Sequence, residues 1–223
     1  MLYFTEDYNN FFKGLARSNS KDWFDVNRKD YEKHVKKAFY KFLGDLIERI
    51  KKDYDPNFDL LVKNAVFRIN RDIRFSKDKT PYKLHMGAVV SNGGRKNMQI
   101  PGMYIQLGVG ELWLGGGMYS PSKDNLYKIR EYLMQNPKSL DKILADKTFK
   151  KFYGELRGTK NKVLPKVFKE AAKEQPLIFN KQFYYMAEYD DESLITRDDF
   201  MDWVIEHYEA SQKINKWFSE ALN

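Results

Sequence analysis

The chain contains no cysteine among its 223 residues. Disulfides, thiol nucleophiles and cysteine-ligated zinc or iron–sulfur centres are thereby excluded. Histidine is scarce too. His34, His85 and His207 stand far apart, with no H-E-x-x-H spacing, so no metal site is expected from them. No apolar run approaches the roughly 20 residues needed to cross a membrane. The first residues, MLYFTEDYNN, lack the basic-then-apolar pattern of a signal peptide. The expectation is a cytoplasmic protein with no membrane partner. Internal repeats, low-complexity segments and linkers are missing as well.

What is present is a well-stocked core. The chain is 42% hydrophobic and 16% aromatic, a composition that folds rather than stays disordered. Its length fits one domain covering residues 1–223. The formal net charge of +8 suits association with anionic metabolites, nucleic acid or an acidic partner, and is equally compatible with a merely basic surface.

Hydrophobic periodicity predicts a helix over 5–16 and a longer one over 30–52, where Tyr31, Val35, Phe39, Phe42, Leu46 and Ile50 recur at steps of three and four. The lysines of that helix read as a solvated face. Asn19 and Ser20 offer a cap before Trp23 and Phe24. Strands are predicted at 66–75, 82–90, 103–107 and 111–115, joined by the turns Ser91-Asn92-Gly93-Gly94 and Gly108-Val109-Gly110. Short connections of this kind imply antiparallel pairing. Helices follow over 139–153 and 198–222, with a short one at 165–173 and a further strand at 182–189. The expected fold is α+β: an antiparallel β-meander sheet with N-terminal and C-terminal helices packed on its apolar face.

Alternate strand residues point to opposite faces. Phe67, Ile69, Ile73 and Phe75 therefore share one face, and Arg68, Asn70, Asp72 and Arg74 the other. The polar surface would also carry His85, Tyr104, Gln106 and Trp113. Arg71 falls on the apolar parity. Either a bulge shifts the phase there, or Arg71 is a buried guanidinium needing a carboxylate, which Asp72 cannot supply from the opposite face. Gly115-Gly116-Gly117, followed by a helix capped at Ser122, resembles an anion cradle, since free amides and the helix dipole favour negative charge. It matches no phosphate-loop consensus, and a tight turn or close backbone approach is the alternative. His207 reads as a core residue on the stripe of the last helix.

The stretch Phe67–Lys83, FRINRDIRFSKDKTPYK, closely resembles the central motif of the DUF2461 family, a domain of unknown function widespread in bacteria and fungi. Weaker matches run from Asn19 through Trp23-Phe24 to Tyr31, over Gly115 to Pro121 with Ile129-Arg130, and at Pro165-Lys166. Ser20-Lys21 and Val167 depart from the pattern. The resemblance implies one domain over nearly the whole chain. It implies no established activity and no cofactor.

Three functions follow from the residues. The first is a binding site or enzyme for a small anionic ligand: a phosphate ester, nucleotide or carboxylate. Arg68 and Arg74 would clamp the anion in a bidentate way. Asn70 would share their face, Lys77, Lys79 and Lys83 would close over it, and Tyr82 would form a wall. Gly116, Gly117, Tyr119 and Arg130 would complete the site, with Asp72 or His85 as the proton carrier. The second is a structural ion-pair network holding a loop to the sheet, with no ligand role. The third is a single-stranded nucleic-acid module built on charge and stacking.

Overall fold

Alternating apolar residues between 85 and 118 build the centre of the structure, a computed structural model that describes residues 1–223. Its helices are α1 Glu6–Arg17, α2 Lys21–Val26, α3 Arg28–Asp30, α4 Lys37–Asp53, α5 Val62–Ala65, α6 Lys123–Gln135, α7 Ser139–Leu144, α8 Lys147–Tyr153, α9 Ala171–Glu174 and α10 Phe200–Leu222. Its strands are β1 His85–Val90, β2 Met103–Gly108, β3 Leu112–Met118 and β4 Phe183–Tyr189, which form one antiparallel sheet in the order β1-β2-β3-β4. The α+β expectation holds. No helix is long and apolar enough to cross a membrane.

The chain makes two compact units. The first comprises Met1–Arg95, Tyr104–Trp113 and Glu188–Ile205; the second comprises Lys96–Met103, Leu114–Ala187 and Glu206–Asn223.

In the first unit α1 buries Phe11, Phe12 and Leu15, and α4 buries Phe39, Phe42, Leu43, Leu46, Ile47 and Ile50. These are the positions that helical spacing predicts. Phe4, Tyr8, Phe42 and Phe200 form an aromatic cluster with ring centroids 4.9–5.6 Å apart. The Tyr8 hydroxyl donates to the Leu107 carbonyl and ties α1 to β2. Ser20 caps α2 by accepting from the Trp23 amide. The long helix expected over 30–52 is not uniform. Tyr31–Lys36 forms a π-helical turn between α3 and α4.

The strand expected at 66–75 is the main correction. The segment is extended but makes only two isolated antiparallel bridges, Val66 to Ala88 and Asn70 to Tyr82. The Phe67 amide donates to Gly87, Lys83 to Ile69 and Arg71 to Pro81. Three residues, 67–69, lie between the bridges on one side and five, 83–87, on the other. Two extra residues interrupt the ladder, so a bulge is present. It lies on the segment facing Arg68, not at Arg71. Leu84, expected on the apolar face with Met86, is left exposed there, and so is Phe75 farther along the loop.

In the second unit β3 runs through Gly115, Gly116 and Gly117 to Met118, three residues beyond the expected end. A Cβ on Gly117, whose φ is +95°, would strike the Phe183 carbonyl of β4. Close approach to the neighbouring strand is thus what this run of glycines provides. Ser122 caps α6 as expected, accepting from the Asn125 amide. The helix expected over 139–153 is broken at Asp146, whose carboxylate caps α8 by accepting from Thr148 and Phe149. His207 is fully buried against Phe152, 4.2 Å between ring centroids.

Candidate functional site

A cleft of about 350 Å³ opens in the first unit. Its walls come from several separate stretches. The bridge segment gives Arg68, Ile69 and Asn70, and its partner gives Tyr82 and Met86. The π turn and its flanks contribute Arg28, Tyr31, Lys36 and Tyr40. Lys63 of α5 and Arg95 complete the rim. Five cations line the cleft, and no carboxylate does. Arg28 pairs with Asp25 and Lys36 with Glu32, while Lys63, Arg68 and Arg95 enter no ion pair. A π turn is rare and is found mostly at functional sites. Here it sets Tyr31 and Lys36 on one wall.

Local geometry explains the convergence. Asn19 donates to the Tyr82 carbonyl at 2.9 Å and accepts from its amide at 3.1 Å. The Tyr82 ring stacks on Phe24, 4.2 Å between centroids with 16° between planes. Gly94 has φ +53°, and a Cβ there would lie 2.6 Å from the Asn64 carbonyl. Glycine therefore lets the Arg95 turn close on α5, bringing Arg95 and Lys63 to one rim.

The other charged residues of the motif do not line this cleft. Arg71 is partly buried, its side chain 26% exposed, and its guanidinium reaches Asp78 together with the hydroxyl and carbonyl of Thr80. The carboxylate partner that its parity demands is therefore Asp78. The Thr80 amide first, then Arg71, hold the Asp78 carboxyl down at about 2. Arg74 grips Asp72 through Nε and Nη2, at 2.9 and 2.7 Å, and lies over the Phe75 ring. That contact lowers Asp72 below its ordinary value and leaves it a poor proton acceptor. Lys79 donates to the Ile73 carbonyl, and Lys77 is exposed. Lys83 lies over the Phe67 ring at 5.3 Å, its pKa lowered by burial and then by Arg68.

Gly116, Gly117, Tyr119 and Arg130 belong to the second unit. Tyr119 is exposed and meets Tyr184 edge-on. Arg130 is buried, donating to the carbonyls of Ile178 at 2.9 Å and Asn180 at 3.0 Å. Burial lowers its pKa. Of the expected ligand residues, the cleft gathers Arg68, Asn70 and Tyr82.

His85 heads a separate network. Its Nδ1 donates to Glu111 Oε2 at 2.8 Å. The same oxygen accepts from Gln106 Nε2 at 3.0 Å, and Gln106 Oε1 accepts from the Tyr104 hydroxyl at 2.6 Å. Burial pushes the His85 pKa down against the opposing pull of Glu111. Burial, aided by Glu111, pushes Tyr104 up to about 12. Parity grouped His85, Tyr104 and Gln106. The structure adds Glu111 as the group that joins them. No cluster of three or more metal-ligating side chains occurs.

The model of a family described as a conserved hypothetical protein, DUF2461, matches residues 7–217. No curated protein matches the chain. The match takes in residues of both units, including the whole Phe67–Lys83 motif. The chain belongs to the DUF2461 family of conserved hypothetical proteins.

Proposed function

We propose that the cleft of the first unit binds a small anionic ligand: a phosphate ester, nucleotide or carboxylate. The observation that carries this reading is the lining, five cations with no acid among them and three unpaired. Unneutralised cations crowded into one concavity repel one another, and a bound anion relieves that cost. Hydrogen bonds to charged groups contribute roughly 1.5–3 kcal/mol each, so two or three well-aimed donors hold a small metabolite. The cleft lies at the small end of ligand pockets, which run from about 300 to 1,000 Å³.

Thermal unfolding against phosphate, pyrophosphate, ADP and citrate tests this. A ligand at a hundredfold its dissociation constant stabilises by about 2.7 kcal/mol. Arg68→Ala and Arg95→Ala should abolish the gain, and Lys77→Ala should leave it. Absence of stabilisation by every anion, or equal stabilisation of Arg68→Ala, would sink the reading. For Arg71 and Arg74 the structural role is favoured instead, because both guanidiniums are already held by acids of their own loop.

A further inference from the structure

The cleft has two unlike ends. Its long sides are the bridge segment 66–70 and the helical run from Tyr31 to Tyr40, and both pass from one end to the other. At the first end α5 closes the cleft. Val66 follows α5 directly, and a Cβ on Gly44, one turn beyond Tyr40, would lie 3.8 Å from Val62. Lys63, Arg95 and the Tyr40 hydroxyl gather there, and none of these side chains makes a hydrogen bond or ion pair. At the second end Asn70 bridges to Tyr82, whose ring stacks on Phe24, and Phe24 meets Tyr31 at 5.0 Å between centroids. Arg68 lies between the two ends along the bridge segment.

A phosphate accounts for the cationic end alone. The second end carries its own sign of a ligand. Tyr31 is 7% exposed, and the acceptor of its hydroxyl is the Met86 sulfur, 3.8 Å away. A thioether accepts weakly, so a buried donor is left nearly unsatisfied, which native structures mostly avoid. Tyr31 and Met86 both line the cleft, so a better acceptor can reach the hydroxyl from there. Burial raises the pKa of Tyr31 and keeps it a donor. The Asn70 side chain makes no hydrogen bond within the protein and offers donors and an acceptor together. Ile69, Met86 and Tyr82 supply an apolar floor. A second anionic group is poorly suited to this end, because its cation, Arg28, is already held by Asp25. A flat, uncharged ring with donors and acceptors on its edge fits the floor, the phenol and the amide at once.

We propose that the ligand is a nucleotide lying along the cleft, its phosphate at Lys63, Arg95 and Arg68 and its base at the Tyr82 end, where the Tyr31 hydroxyl donates to the base edge and Asn70 hydrogen-bonds the same edge. This rests on the anion reading of the cleft and narrows it. The base replaces the Met86 sulfur with a stronger acceptor, and the floor covers its apolar face.

Calorimetric affinities for AMP, GMP, CMP and UMP beside ribose 5-phosphate test this, since ribose 5-phosphate carries the same charged group without a base. At least one nucleotide should bind about tenfold tighter than ribose 5-phosphate, or more. Tyr31→Phe keeps the ring and removes the hydroxyl. It should lose most of that gain and leave ribose 5-phosphate unchanged, and Asn70→Ala should do likewise. Arg95→Ala should weaken nucleotide and ribose 5-phosphate by the same factor. Ribose 5-phosphate bound as tightly as every nucleotide, or binding of citrate alone, overturns the proposal and leaves the anion reading standing. A base gain that survives both Tyr31→Phe and Asn70→Ala overturns it too. Binding of none of these ligands, with pyrophosphate inert as well, overturns both.

Discussion

At the residue scale, the three arginines of one motif have three different environments. Arg68 stands unpaired in a cleft, Arg71 braces a loop, and Arg74 grips its neighbour Asp72. Arg71→Ala should raise proteolytic cleavage within residues 72–80 while moving the melting temperature little, because half-exposed pairs contribute at most about 1 kcal/mol. Limited proteolysis beside thermal melting separates the two effects. The pH dependence follows from Asp78. Its folded value of about 2 lies below the ordinary carboxylate value of roughly 3.9. The brace is therefore complete above about pH 4 and is lost as pH falls toward 2. Hydrogen exchange of the Thr80 amide, which donates to Asp78, should report that loss.

At the scale of elements, β3 is decided by its glycines. Gly117→Ala adds a Cβ where the backbone of β4 already lies and demands a positive φ of an alanine. Strain of this kind costs about 1–3 kcal/mol, and chemical denaturation should show a loss of at least that size. An unchanged midpoint would contradict the close approach. Asp146→Ala removes the cap of α8 and the partner of Lys213, and caps are worth about 1 kcal/mol. Asp146→Asn, which can still cap, should recover most of that loss in the same measurement.

At the scale of the whole molecule, the two units interleave along the chain, each drawn from three segments. The first unit's core needs all of its segments. Phe200 packs on Phe4 and Phe42, and Leu107 accepts from Tyr8. A fragment ending at residue 95 should therefore lack cooperative unfolding and dispersed NMR signals, although it carries the entire Phe67–Lys83 motif. A cooperative, native-like fragment would refute the shared core. The cleft should be lost with it, since the cleft depends on that core to hold α4 and the bridge segment together.

Local rules made much of this legible. The stripes of α1 and α4, the caps at Ser20 and Ser122, the hairpin at 108–110 and the alternation of β2 each depend on residues a few positions apart. Parity grouped His85 with Tyr104 and Gln106, which one hydrogen-bond network joins through Glu111. The rest depends on long-range pairing. Whether residues 66–75 complete a strand is settled by the partner segment, whose two extra residues break the ladder. Whether a lysine of the long helix is solvated or lines a cleft depends on what docks opposite, and Lys36, Lys63, Arg68 and Arg95 meet only after folding. The sequence alone determined which residues are apolar, charged or conformationally free. The tertiary structure decided which cations lack a partner, because charge pairing depends on distance through space and not along the chain.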